Sequence, residues 1–555
     1  MYRTSSPGQL SFENFYLPFS GKLSADNRWV KLAELIPWEL VEASYAEQFS
    51  ASMGAPAKSF RVALGALIIK EKLGASDAET VEQIRENPYL QYFLGFSEYR
   101  DQAPFDVSMM VHFRQRVNLE MVARVNEDVV CSMLGEPKSE SEPKPESEPE
   151  SEPEPESEGK NAAPLSSSSS NNNNDDNGAA PPSTNQGQLI LDATCAPADI
   201  RYPTDLGLLN EARKDSEAIL DILYRQVSSQ FKTKPRTYRK LARKAYLLVA
   251  KNRRPSRKQR RNAIRQQLQY LGRNLGHIDD LIAAGATLSK LSRRQYRLLL
   301  VISEVYRQQK VMYDTKVRRI DDRIVSITQP YVRPIVRGKA GVPVEFGAKL
   351  SISCVQGCVF LDVLSWDNFN ESTHLKDQVE AYRRRFGKYP ASVHADQIYR
   401  TRDNRQWCKA LGIRLSGPPL GRPHQDPTVQ AELKAQARAD ESVRVAVEGK
   451  FGQAKRRFSL ARVMPKLAET AQCAIAITFL VLNLERWLRQ LLRVLFALFS
   501  SWQSDLKSLI NPVRGWMQPY RRFCTSVVLK IATAQPAVSD RRLLSTKLTF
   551  SANPN

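Results

Sequence analysis

Val344-Glu-Phe-Gly-Ala-Lys-Leu-Ser-Ile-Ser-Cys-Val-Gln-Gly-Cys-Val-Phe-Leu-Asp-Val-Leu-Ser365 reads as two β-strands around a Gln356-Gly357 turn. β-Branched and apolar residues crowd both halves, and a glycine turn between such runs predicts a hairpin. Upstream, Gln188-Leu-Ile-Leu-Asp192 predicts a short strand ending in its aspartate. Downstream come a predicted helix over 374–386, a strand ending at Asp396, a helix through Lys409, a strand over 413–416 and a helix containing Arg444 to Phe458. This succession is an α/β order. Between the first strand and the hairpin, residues 211–325 form a predicted helical insertion, with apolar faces at Tyr246–Val249 and Leu298–Tyr306. Its densest basic cluster is Lys251-Asn-Arg-Arg-Pro-Ser-Arg-Lys-Gln-Arg-Arg261.

Residues 1–135 predict a separate all-helical domain. Phe60–Leu73 carries apolar helical spacing and stops at Gly74, Ser76 and Asp77 can cap a second helix, and Pro88 opens a third. Helix, glycine turn, helix is the spacing of a helix-turn-helix unit. A further helix would carry Arg114 and Arg116 toward a DNA groove. Residues 136–187 hold Ser-Glu-Pro repeats, Ser and Asn tracts, and twelve acids against three lysines. No core can form from that composition, so the segment reads as a disordered acidic linker and passive spacer. The catalytic domain is placed at 188–470. Residues 471–555 read as a C-terminal helix and basic tail.

A formal net charge of +22, carried despite the acidic linker, calls for a polyanionic partner. Seven scattered cysteines and a start without basic or apolar leader regions place the chain in the cytoplasm with free thiols. Cys354 and Cys358 lack a second ligand pair at zinc spacing. Ala474–Leu484 is the most apolar run, about half the length that spans a bilayer, with Glu485, Arg486, Arg489 and Arg493 directly behind it. It reads as a buried helix that turns amphipathic, and no membrane contact is expected.

The helix over 444–458 carries one acid among many bases. Arg444, Glu448 and Lys455 project from roughly one face at 3.6 residues per turn. Together with Asp192 and Asp396, Glu448 gives three carboxylates suited to two-metal phosphodiester chemistry, in which one ion activates the attacking oxygen and the other stabilises the leaving one. Hard oxygen donors select Mg²⁺ or Mn²⁺, two ions being expected. Each acid also has an ordinary reading, as a strand end or a solvated helix residue. Asp199 and Asp205 are the nearest substitutes for Asp192, which is preferred because it ends the strongest strand pattern.

The chain resembles the DDE transposases of bacterial insertion sequences, in particular the insertion sequence five group. Asp192-Ala-Thr with Tyr202-Pro-Thr-Asp, Pro334-Ile-Val-Arg-Gly-Lys, Val344-Glu-Phe-Gly-Ala-Lys, Phe369-Asn-Glu-Ser, Ala395-Asp-Gln-Ile-Tyr with Asn404, and Glu448-Gly-Lys-Phe-Gly carry the resemblance. A Tyr, Arg, Glu, Lys signature with two, three and six residues intervening matches at Arg444, Glu448 and Lys455, while Glu441 stands at the Tyr position. The resemblance implies a ribonuclease H-like core in which Asp192, Asp396 and Glu448 are catalytic metal ligands. Arg444 and Lys455, with Arg456 beside them, would hold DNA phosphates. It implies nicking of a transposon end, attack of the 3′-hydroxyl on target DNA, a homodimer on double-stranded DNA, and a nucleoid-associated location. The basic insertion and the N-terminal helices would supply most end binding, with affinity falling as salt rises. Five histidines offer neither the set of a tyrosine recombinase nor a His-X-His pair. A ribonuclease H-like nuclease without strand transfer, a DNA-binding regulator and an inactive transposase copy are the remaining alternatives.

Overall fold

The computed structural model describes residues 2, 11–50, 53–135, 185–336, 344–418, 421 and 426–493. The acidic linker at 136–184, residues 337–343 and the tail from 494 lie outside them. The N-terminal helices are α1 (Arg28–Leu35), α2 (Glu42–Ala46), α3 (Phe60–Leu73), α4 (Asp77–Glu86), α5 (Pro88–Phe93), α6 (Met109–Arg116) and α7 (Leu119–Leu134). Their ends follow local chemistry. Gly74 closes α3 in the left-handed conformation, and the side chains of Ser59, Ser76 and Asn87 cap α3, α4 and α5.

Strand β1 (Gln188–Pro197) precedes the insertion, α8 (Asp205–Val227), α9 (Arg239–Ala250), α10 (Arg257–Ala283) and α11 (Arg293–Thr315). The chain then forms β2 (Arg333–Val336), β3 (Val344–Val355), β4 (Cys358–Ser365), α12 (Leu375–Phe386), β5 (Ser392–His394), α13 (Arg402–Ala410), β6 (Arg414–Leu415) and α14 (Pro427–Arg457). A last helix, α15, spans Ala468–Arg493. The expected hairpin is β3–β4. β1 runs through Asp192 rather than ending there, because Ala193 to Pro197 keep pairing with β3 as far as Gly347.

The sheet runs β2-β3-β1-β5-β6, with β4 also on β3. β1 is antiparallel to β3 and parallel to β5, and β5 is parallel to β6. At the far end of β1 the backbones come very close: a Cβ on Gly347 would sit 2.0 Å from the Ala196 carbonyl oxygen. Gly347→Ala is therefore expected to cost about 3 kcal/mol through forced separation of β1 and β3, read as a lower urea midpoint.

One apolar core joins Phe60, Leu64 and Phe93 of the N-terminal helices to Ile190, Leu350 and Ile352 of the sheet and Phe479 and Leu480 of α15. Residues 1–135 thus share a core with the sheet. α15 is long and apolar enough by composition to cross a bilayer, yet most of its apolar window is buried against protein. A carboxylate fastens the junction. Glu71 of α3 accepts hydrogen bonds from Ser459 N–H (2.9 Å) and Oγ–H (2.8 Å), just beyond α14, and from Thr478 Oγ1–H (2.6 Å) of α15.

The insertion has a core of its own, built from residues such as Leu209, Leu220, Leu271 and Ile302. Its entry and exit lie together: Gln329 Nε2 donates to the Asp199 carbonyl at 3.1 Å, and Ala198 packs with Val325 and Val332. The six described cysteines are buried.

Candidate active site

Parallel pairing of β1 with β5 brings two acids side by side. Ile190 is in register with His394, so the residues two further along, Asp192 and Asp396, leave the same face at the same level. Asp192 Oδ1 accepts the Ala193 N–H at 2.8 Å, and Asp396 Oδ1 accepts the Gln397 N–H at 2.7 Å. The third acid comes from α14, where Arg444, Glu448, Phe451, Gly452 and Lys455 face a cleft of about 1010 Å³ also lined by Asp192 and Asp396. The spacing of these five residues is one helix face.

Burial pushes the Asp192 carboxyl up to about 6, with Glu371 and Asp396 adding to the rise and the Ala193 N–H and Arg444 opposing it. Lys455 Nζ donates to Thr194 Oγ1 at 3.0 Å, which seats its ammonium on β1 beside Asp192. Arg444 lies 2.7 Å from Glu441 Oε1 and 3.4 Å from Glu448 Oε1. The acid at the signature's Tyr position therefore engages the guanidinium that the resemblance assigns to phosphate.

Two lining groups had no role in the sequence reading. Lys349 Nζ pairs with Glu371 Oε1 at 3.0 Å and donates to the Phe369 carbonyl at 2.7 Å. Both residues lie within motifs that carried the resemblance, which is the signal that could have found them.

The other named residues lie elsewhere. Arg456 is exposed on α14 and does not line the cleft. Arg116 is half-buried over the Phe49 ring, 4.5 Å from its centre. Arg114, expected at a DNA groove, has a side chain that is 9% exposed and held by Asp77 in a two-pronged pair at 3.0 and 2.6 Å. Asp199 pairs with Arg462 and Asp205 with Arg323, outside the cleft.

Among the described residues no three of His, Cys, Asp and Glu stand close enough together to hold an ion. The donor chemistry nevertheless suits a hard divalent cation. Asp192, Asp396, Glu448 and Glu371 present only oxygen, and the upward push on Asp192 comes first from burial and then from the charges of Glu371 and Asp396, which a cation would offset.

Comparison with known proteins points to transposases. Residues 18–116 match a transposase domain (DUF772) and residues 393–485 a transposase DDE domain, the latter spanning Asp396, Glu448 and most of α15. These matches, each covering less than a fifth of the chain, support a DDE transposase. Over 88 residues it is 38% identical to an uncharacterized protein, ORF8 in the nfe locus of Rhizobium meliloti, covering 16% of this chain and 42% of that protein. The chain thus spans less than half the length of that curated relative. No solved structure matches.

Proposed function

We propose that the protein binds the ends of an insertion sequence, of the insertion sequence five group, and catalyses metal-dependent strand cleavage and transfer. The observation that carries this reading is the convergence of Asp192, Asp396 and Glu448 on one cleft with Arg444 and Lys455. The sheet order supports a ribonuclease H-like core: a central β1, antiparallel β3 and β4 to one side, and parallel β5 and β6 to the other.

Asp192, Asp396 and Glu448 would hold Mg²⁺ or Mn²⁺, which when bound supplies activation of the attacking oxygen and stabilisation of the leaving one. Lys455, fixed through Thr194, would hold a phosphate of the strand being cut. Arg444 would reach DNA by exchanging its carboxylate partners for phosphate oxygens, a trade between charge-assisted bonds of similar kind. Water attacks the scissile phosphodiester and releases a 3′-hydroxyl, which then attacks target DNA in line. The N-terminal helices and basic insertion contact duplex backbone, two copies pair the ends, and the protein works in the cytoplasm on the nucleoid.

The test is Mg²⁺-dependent cleavage and joining on DNA carrying the element's ends, comparing the parent with Glu448→Ala and Asp396→Asn. Joined products from the parent, reduced about a thousandfold in both variants with end binding retained, are the expected result. Cutting without joining would indicate a nuclease, and binding without cutting a regulator or an inactive copy.

A further inference from the structure

One buried carboxylate has no part in this chemistry. α14 turns four buried residues inward, Asp440, Val447, Phe451 and Ala454. Spacings of seven, four and three trace a single helix stripe, so Asp440 stands where an apolar residue would ordinarily seat the helix. A buried carboxylate is costly unless paired, and this one gathers partners from two strands. Arg414 of β6 donates from Nη1 to Oδ2 at 2.8 Å and from Nη2 to Oδ1 at 2.9 Å. Gln436 Nε2, one helical turn earlier, donates to Oδ1 at 3.0 Å. His394 of β5 brings Nδ1 to 3.6 Å from Oδ1, and its Nε2 lies 3.0 Å from Ser392 Oγ.

The positions of these partners matter. His394 precedes Asp396 by two residues on the same face of its strand, and Asp440 precedes Glu448 by eight residues, about 12 Å along the helix. Resting on the transposase reading, we propose that Asp440 is a positioning residue: its clasp with Arg414 sets the place of α14 on β6, which pairs with β5, and with it the approach of Glu448 to Asp396. An apolar contact would tolerate sliding and rotation, whereas a two-pronged guanidinium–carboxylate pair fixes both. A helix rotation of about 20° moves atoms at a radius of about 5 Å by roughly 2 Å. Displacements near 1 Å at a reacting centre already cost about a hundredfold in rate.

Two variants test the clasp. Asp440→Leu restores an apolar stripe and leaves Arg414, 45% exposed, able to turn to solvent. Arg414→Gln removes the fork from the exposed side, and carries the test alone should the first variant not fold. Mn²⁺ affinity by spin-resonance titration without DNA, single-turnover cleavage against Mg²⁺ concentration, melting temperature and end-DNA affinity are measured on the full chain. The expected result is a native melting curve, end-DNA affinity within about twofold of the parent, Mn²⁺ affinity about tenfold weaker and cleavage about a hundredfold slower. Folded variants that bind Mn²⁺ and cleave like an active parent would overturn the clasp while leaving the transposase reading intact. A parent that neither binds Mn²⁺ nor cleaves would overturn the reading and the clasp together.

Discussion

Asp192→Asn is expected to give a protein that is inactive and, without metal, more stable than the parent at neutral pH. The side chain sits in β1 under the cleft, where burial pushes its carboxyl up to about 6. Such a group favours folding when protonated, so its contribution is present below about pH 4 and is lost as pH rises through 6. A shift of about two units corresponds to about 2 to 3 kcal/mol, which the parent forgoes above pH 7 and the uncharged amide does not. The urea midpoint of Asp192→Asn should exceed the parent's at pH 8, and the difference should vanish near pH 4. Added Mg²⁺ should stabilise the parent and not the variant, since the lost charge is the one a cation would neutralise. Cleavage should fall about a thousandfold. A variant less stable than the parent at pH 8 would refute the burial argument.

Arg114→Ala is expected to be the most damaging change of an arginine in the N-terminal helices, for stability and not for DNA contact. Asp77 begins α4, and burial opposes its ionisation, yet the two-pronged bond from Arg114 and the nearby Lys70 hold its carboxyl below the usual range. Removing Arg114 leaves a partly buried carboxylate with Lys70 alone, and breaking one partner of a buried pair costs about 3 to 5 kcal/mol. Asp77→Ala should cost about as much, and the double variant less than the sum. Salt dependence separates the two readings of this arginine. A phosphate contact would reduce the slope of log affinity against log salt by about one, whereas an interior pair leaves it unchanged in the folded fraction.

These two residues mark what a sequence can disclose. Asp192, Asp396 and Glu448 could be linked because each stands in a motif that carries the family resemblance, within a locally legible strand or helix. The hairpin, the Gly74 stop of α3 and the Ser76 cap of α4 were readable from local signals. The partner of Arg114 was not, because Asp77 is 37 residues away and only the packing of α6 against α3 and α4 brings them together. β1 hid its length because an aspartate and a terminal proline are poor strand residues, and pairing with β3 overrides that preference. Lys349 and Glu371 were in view within their motifs, but nothing local indicates that an amine on β3 meets a carboxylate beyond β4. At the N-terminus a conspicuous acidic segment suggested a boundary, while one hydrophobic core takes residues from both sides of it.

The joined entry and exit of the insertion carry a further consequence. With Asp199 and Gln329 in contact, the two ends of the helical excursion meet beside the sheet, and the length of the excursion hardly affects the closure entropy already settled there. The helical bundle is in this sense a cassette. Its length could change while Asp192 and Asp396 keep their places, so the roughly 200 residues separating them in the chain reflect the size of the bundle rather than any requirement of the chemistry.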